Sequence, residues 1–522
     1  MKASTVRHAV EAHGWVGLII SVPLFIIFWS GAITLFHPEV QRWATMPHYP
    51  LTQSEVQRPL NEVVADKLGQ YDFDASHSVS LHLPGEHSPY LWMEIPLREP
   101  LPETSGHEAD HVHLMVDPVS GETLSKSEPF QLADFLNRLH FSLKLPQGLY
   151  LVGIVTFFFL VLVMTGVVIQ LKNLVKNFFL YRHNSTARSQ MNDIHTVIGV
   201  ISLPYGLMYA VTGVMFNLSI IFQVTTMLTL YQGDMQTMME DAGFASYQPE
   251  LVERAEPMPD LDQLLKQVES QANATVHTIT MQNYGDQGAL IGFAGMENGS
   301  FARSVERFYR VSSDSFPTAM NPQQHNLFTD GVNLLFSLHM ANYAGLDLRL
   351  LYFLLAIGVC TMIVAGNLLW MTKRQKQPGY ARTRGIMRGL TLGGTMGSIT
   401  ATAVAFLMER VLPVELAARG EWVMTGFGMT LLLSIVLAYM NRSYLCYLGW
   451  SCVLSALLLL MTVVVDSTWL AAVIASLWQT GFHQVAGVSI GLFLFALLLG
   501  GLGLYLLKHK AKQTLTAQSS HL

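Results

Sequence analysis

His13 to Gly31 reads HGWVGLIISVPLFIIFWSG. The stretch is apolar enough to enter a bilayer, yet it opens on a histidine. Gly17 follows one turn later, Pro23 sits near the middle, and Ser30-Gly31 closes it eighteen residues after the histidine. The pattern returns at His195, Gly199, Pro204 and Thr212-Gly213. A duplicated, histidine-headed apolar helix is therefore the unit from which the chain is built.

The rest of the composition agrees. Of 522 residues, 51% are hydrophobic and 13% charged, against roughly 25% charged in a soluble globular protein. A spanning helix needs about 20 apolar residues, and eight segments qualify: 13–36, 149–171, 195–221, 347–371, 387–408, 421–440, 443–465 and 484–507. The fold class expected is a polytopic α-helical membrane protein. The first span has no small-residue cleavage site behind it and is read as uncleaved. Cys360, Cys446 and Cys452 all lie in apolar segments, so neither a disulfide framework nor a cysteine metal site is expected.

Basic residues set the orientation. Lys2 and Arg7, Lys172 to Arg188, Lys373 to Arg384, and Lys508 to Lys512 all fall on one side of the eight-span series. By the positive-inside rule that side is cytoplasmic, with both termini there. The two long polar stretches, 37–148 and 222–346, then face outward, into the periplasm of a Gram-negative cell if the membrane is an inner membrane. Each reads as a small α+β domain. LNEVVADKLGQ and LDQLLKQVESQ are the helices. SVSLHLPGEHSPYLWMEIPL, HVHLMVDPVSGETL, HTITMQNYGDQGALIGFAG and VERFYRVSS supply strands and turns. The organisation expected is span 1 within 1–36, an outer domain over 37–148, and spans 2 and 3 with their loop over 149–221. A second outer domain over 222–346, span 4 and its loop over 347–384, and a four-span addition over 385–522 complete it.

The repeat carries more histidines. RLHFSLKLPQG, with His140, precedes span 2, and SLHMANYAGLD, with His339, precedes span 4. Ionisable residues at a membrane rim are costly and point to function. His13 and His195 lie at the cytoplasmic ends of spans 1 and 3; His140 and His339 lie at the outer ends of spans 2 and 4. Each pair is repeat-related, and two imidazoles facing across a bundle suit a haem iron. Gly17 and Gly199 remove side chains where a porphyrin face would lie. Gly31, Gly166, Gly213 and Gly366 do the same or allow close helix contact. A span rises about 30 Å, so one haem near each face would leave a short gap for electrons. The bland alternative is four interfacial histidines held by backbone or headgroups.

HGWVG with its Ser-Gly or Thr-Gly, IHTVIGV, the LH segments and VDPVSGETL resemble the PepSY-associated transmembrane family over residues 5–375. The resemblance implies PepSY-like outer domains. It also implies kinship with FoxB-type inner-membrane ferric-siderophore reductases, which carry haem b. It carries His13, His140, His195 and His339 over as ligands of two haems. The activity it implies is an oxidoreductase, a ferric reductase for iron acquisition. Its partners would be a ferric siderophore or other ferric chelate and an electron donor, either a membrane quinol or a separate reductase.

Other features are weaker. HEADHVH places His107, His111 and His113 together as a candidate metal site or a solvated acidic loop. His37 competes with His140 as an outer ligand, and His483 opens the last span without a mate. No Rossmann fingerprint or P-loop occurs, no hydrolytic constellation stands together, and nothing points to nucleic acid. One rival reading is a permease for iron, a siderophore or a peptide. It is opposed by spans that show no buried Asp, Glu, Lys or Arg. The other is a non-enzymatic binding or regulatory membrane protein.

Overall fold

The computed structural model describes residues 3–519 except 46–48, 50–56, 86–87, 100–110, 127–129, 173–174, 177–178, 180, 183–184, 243–246, 248, 302, 321–326, 342, 376–379, 442 and 467–483. It divides into a helical unit (Met1–Pro47, Gln131–Ile220, Ala344–Leu522) and a sheet unit (His48–Phe130, Ile221–Tyr343). In chain order the main elements begin with α1 Ala3–Thr34, α2 His37–Thr45, α3 Leu60–Leu68, β1 Val79–His82, β2 Leu91–Pro96, β3 His111–Val116 and β4 Thr123–Ser125. Next come α4 Leu132–Ser142, α5 Gly148–Gln170, α6 Ala187–Ile201, α7 Leu203–Asn217, α8 Ser219–Leu230, α9 Met235–Asp241 and α10 Leu261–Ala272. Strands β5 Ala274–Gln282, β6 Leu290–Glu297 and β7 Ser304–Arg310 precede α11 Leu327–Met340 and α12 Leu346–Arg374. The chain ends with α13 Tyr380–Arg388, α14 Gly394–Val411, α15 Arg419–Met440, α16 Tyr444–Val465 and α17 Gln484–Ser519.

Among the described residues, seven helices are long and apolar enough to cross a membrane. The pair α6–α7, bent by 69°, brings the number to eight if it forms one span. The protein is thus a multi-pass helical membrane protein, and the helix expected as a straight third span is bent sharply. The break falls at Ser202, two residues before Pro204. Proline has no N–H for the carbonyl one turn back, and its ring crowds that carbonyl, so a new helix starts with Pro204 in its first turn. Its counterpart Pro23 sits inside α1 without ending it. Here the two halves of the repeat differ.

The absence of buried charge expected from the sequence is corrected. Glu409 and Asp466 are buried, and Arg410 has a side chain only 5% exposed. They are tolerated because each carboxylate meets a guanidinium: Arg419 Nη1 lies 3.1 Å from Glu409, and Arg410 Nη2 lies 3.5 Å from Asp466. Trp43 Nε1–H and the Ser489 hydroxyl also donate to Asp466 Oδ2, at 3.0 and 2.8 Å. Arg410 lies 3.7 Å from the centroid of the Trp43 ring, over its face.

The two polar stretches do not make two separate domains. Their strands join one seven-stranded sheet of order β4-β3-β2-β1-β5-β6-β7. The junction is antiparallel pairing of β1 with β5, from Val79↔Met281 to His82↔Thr278. Each half alone would expose the edge of β1 or β5; pairing them removes both edges. Inward residues such as Leu81, Met93, Leu114, Ile279 and Phe293 pack under α3 and α10 through Val63, Val64, Leu261 and Val268. The two helices cap each other. Asp262 accepts from the Leu60 amide at 2.8 Å, and Asn61 Oδ1 accepts from the Leu261 amide at 2.7 Å. The boundaries expected at 37 and 148 also move inward: α2 and α4 belong to the helical unit.

Candidate functional site

Three of the four singled-out histidines lie in the helical unit, and each is held in one way. His195, on α6, donates Nδ1–H to the Met362 carbonyl of α12 at 2.9 Å. Gly366, four residues beyond Met362, faces the ring: a Cβ there would stand 3.1 Å from it. His140, on α4, donates Nδ1–H to the Ile27 carbonyl of α1 at 2.8 Å, and Gly31 lies four residues beyond Ile27. A Cβ at Gly31 would come within 2.6 Å of His140 Nδ1. His13, on α1, faces Gly166 of α5, with a Cβ-to-ring distance of 3.6 Å. Its Nδ1 lies 3.0 Å from the Thr165 hydroxyl. That hydroxyl gives its own proton to the Val161 carbonyl at 2.8 Å, so Nδ1–H is the donor to Thr165.

At His195 and His140 the motif is a carbonyl, a glycine one turn later, and an imidazole laid over the gap; at His13 the Thr165 hydroxyl beside Gly166 takes the place of the carbonyl. It corrects the role expected of the glycines. Gly31, Gly166 and Gly366 seat histidine rings. Gly213 instead meets Thr156, Gly17 meets Leu162, and Gly199 meets the Met362 sulfur. In all three seats the proton is on Nδ1, which puts the lone pair on Nε2, the nitrogen that ligates a metal. Burial pushes the His140 pKa below its ordinary value, against the opposing pull of the Ile27 carbonyl, and so favours the neutral ring.

His13 and His195 come together. Their ring centroids are 6.3 Å apart and their planes stand at 89°. Beyond Gly366, α12 carries two buried donors with no partner among the described residues, Asn367 Nδ2 and Trp370 Nε1. Trp370 packs edge-on to Trp15 at 5.3 Å, and the Arg374 guanidinium lies 4.0 Å from the Trp370 centroid. The stretch of α12 that begins at the His195 seat thus carries unsatisfied N–H groups and, two turns on, a cation, side chains suited to an anionic group. The sequence reading missed Thr165, Asn367 and Trp370 in this role; only the Gly166 and Gly366 spacings hinted at their stretches of α5 and α12.

His339 lies on α11 in the sheet unit, and His140 in the helical unit. His37 is committed elsewhere, with Nε2 2.7 Å from Asp134 Oδ1 of α4. His111 and His113 share one face of β3, the latter opposite Glu94 of β2. His107 and His483 lie outside the described residues. Among the described residues no three His, Cys, Asp or Glu side chains converge to hold a metal ion.

Residues 10–373 match the model of the PepSY-associated TM region. The chain belongs to this PepSY-associated transmembrane family. The match spans all four singled-out histidines and stops before α13, leaving the last four crossings beyond it. An uncharacterized protein of Pseudomonas aeruginosa is 26% identical over 303 residues, covering 55% of this chain and 75% of that one.

Proposed function

We propose that this member of the PepSY-associated transmembrane family is a haem-b electron conduit that reduces ferric iron, held in a siderophore or other chelate. The observation that carries the reading is the pairing of His13 with His195. Imidazole nitrogens bind a first-row metal at ~2.0 Å, so two rings opposed across one ion have centroids about 6 Å apart. The 6.3 Å separation fits that requirement, and both rings present Nε2 as the lone-pair nitrogen. Haem, when bound, supplies one-electron chemistry. The chain's part is to fix both tautomers through Thr165 and the Met362 carbonyl, and to clear space with Gly166 and Gly366. Asn367, Trp370 and Arg374 would meet the anionic edge of the group.

His140 is a proposed ligand of a second haem, and its seat on Gly31 supports that share. The sheet unit would receive the ferric chelate on the periplasmic side of a bacterial inner membrane, with both termini cytoplasmic. The donor would be a quinol or a separate reductase. A second reading, a permease, gains support from the buried ion pairs of α14–α17.

An optical spectrum before and after dithionite separates the two. The conduit requires sharp bands of low-spin haem b, halved in His13→Ala and to the same extent in His195→Ala, and reoxidation of the reduced protein by ferric chelates. A colourless preparation from haem-replete cells would overturn it.

A further inference from the structure

A cavity of about 380 Å³ opens between α1, α4 and α15 of the helical unit. Val22 and Pro23 form its floor on α1, Leu139 one wall on α4, and Phe427 and Leu431 the other on α15. Lys144 is the one charged residue of the lining, which contains no carboxylate, hydroxyl or amide side chain.

The cavity has a direction. Lys144 stands four residues before α5 begins its crossing, at the level where a span meets the headgroups. Val22 lies twelve residues inside the Thr34 end of α1, and Leu431 twelve residues inside the Arg419 end of α15. At ~1.5 Å per residue both are ~18 Å deep. Half the hydrocarbon core of a bilayer is about 15 Å. The groove therefore runs the depth of one leaflet, apolar along its length and cationic at its mouth.

We propose that this groove seats one acyl chain of an anionic phospholipid whose phosphate lies at Lys144. The length matches a single leaflet, the lining matches hydrocarbon, and the only charge is complementary to an anionic head. A quinone ring, by contrast, would find no hydroxyl or amide side chain along the groove. The site has a consequence for the bundle. Leu139 of α4 faces the chain while its neighbour His140 reaches across to the Ile27 carbonyl, and Ile26 also lines the groove. A bound chain braces α4 against α1 at the place where His140 is held. The inference does not depend on haem.

The full chain, reconstituted in nanodiscs of mixed phosphatidylcholine and phosphatidylglycerol and re-extracted in mild detergent, tests it by native mass spectrometry. One retained phospholipid per protein is expected, enriched in phosphatidylglycerol. Lys144→Gln, an exposed change, should cut that enrichment about fivefold and keep the lipid bound. Leu431→Trp, which fills the deep end of the groove from α15, should abolish retention of both lipids with an unshifted thermal midpoint. Retention of no lipid, of a quinone in its place, or of phosphatidylglycerol with unchanged preference in Lys144→Gln overturns the proposal.

Discussion

Alanine substitutions at the three glycine seats should rank by the space each ring leaves. At Gly31 a Cβ would lie 2.6 and 2.8 Å from Nδ1 and Cε1 of His140, closer than real Cβ contacts allow. The ring must move, and the 2.8 Å bond to the Ile27 carbonyl breaks with it. Overpacking costs about 1–3 kcal/mol, and a donor left unpaired adds about 1–3 kcal/mol. Against this, alanine gains roughly 0.5–1 kcal/mol over glycine inside a helix. Gly31→Ala should therefore destabilise by about 1–5 kcal/mol, taking those terms together. At Gly366 the distance is 3.1 Å, and gain and clash nearly balance. At Gly166 it is 3.6 Å, ordinary contact, so Gly166→Ala should be neutral or slightly stabilising. Thermal unfolding in detergent measures the series. The decisive control is a double-mutant cycle: with His140→Ala present, Gly31→Ala should lose most of its cost. Additive effects, or a Gly166→Ala variant as damaged as Gly31→Ala, would refute the seat geometry.

Two further outcomes test other parts of the chain. Asp466→Ala should destabilise by about 3–5 kcal/mol, because it leaves the Arg410 guanidinium buried without its carboxylate. Asp466→Ala combined with Arg410→Met should recover much of that loss, and a thermal midpoint unchanged in the single variant would refute the pairing. In the sheet unit, Asp286 accepts from the amides of Val252, Arg254 and Gly288 at 2.9, 2.8 and 2.7 Å. Burial raises its pKa, but these amides outweigh it and hold the carboxyl below its ordinary 3.8. A depressed folded pKa means stability present above pH 3.8 and lost as the pH falls through the lower folded value. Asp286→Ala should thus be weaker than wild type near neutrality, with the gap closing in acid; a gap independent of pH would count against it.

Much of this architecture follows from the chain read alone. Apolar run length fixed the positions of the crossings, because the bilayer sets how many residues a helix needs. Period-two alternation and Gly or Pro turns located the strands, and spacing picked out His13, His140, His195 and His339. What spacing does not contain is which atoms of other helices those residues meet. The glycines were visible, yet their occupants arrive from elements up to 171 residues away, as with His195 and Gly366. The same holds for β1 and β5: each half looked complete by itself, and the shared sheet exists because two exposed edges are more stable paired. Glu409 and Asp466 fall one residue past the spans drawn at 387–408 and 443–465, and a sequence shows charge but not the guanidinium that makes burial tolerable. Local pattern therefore determined the elements and named the histidines. Tertiary packing alone decided that His13 faces His195, with each proton on Nδ1, because both depend on a partner that no local pattern identifies.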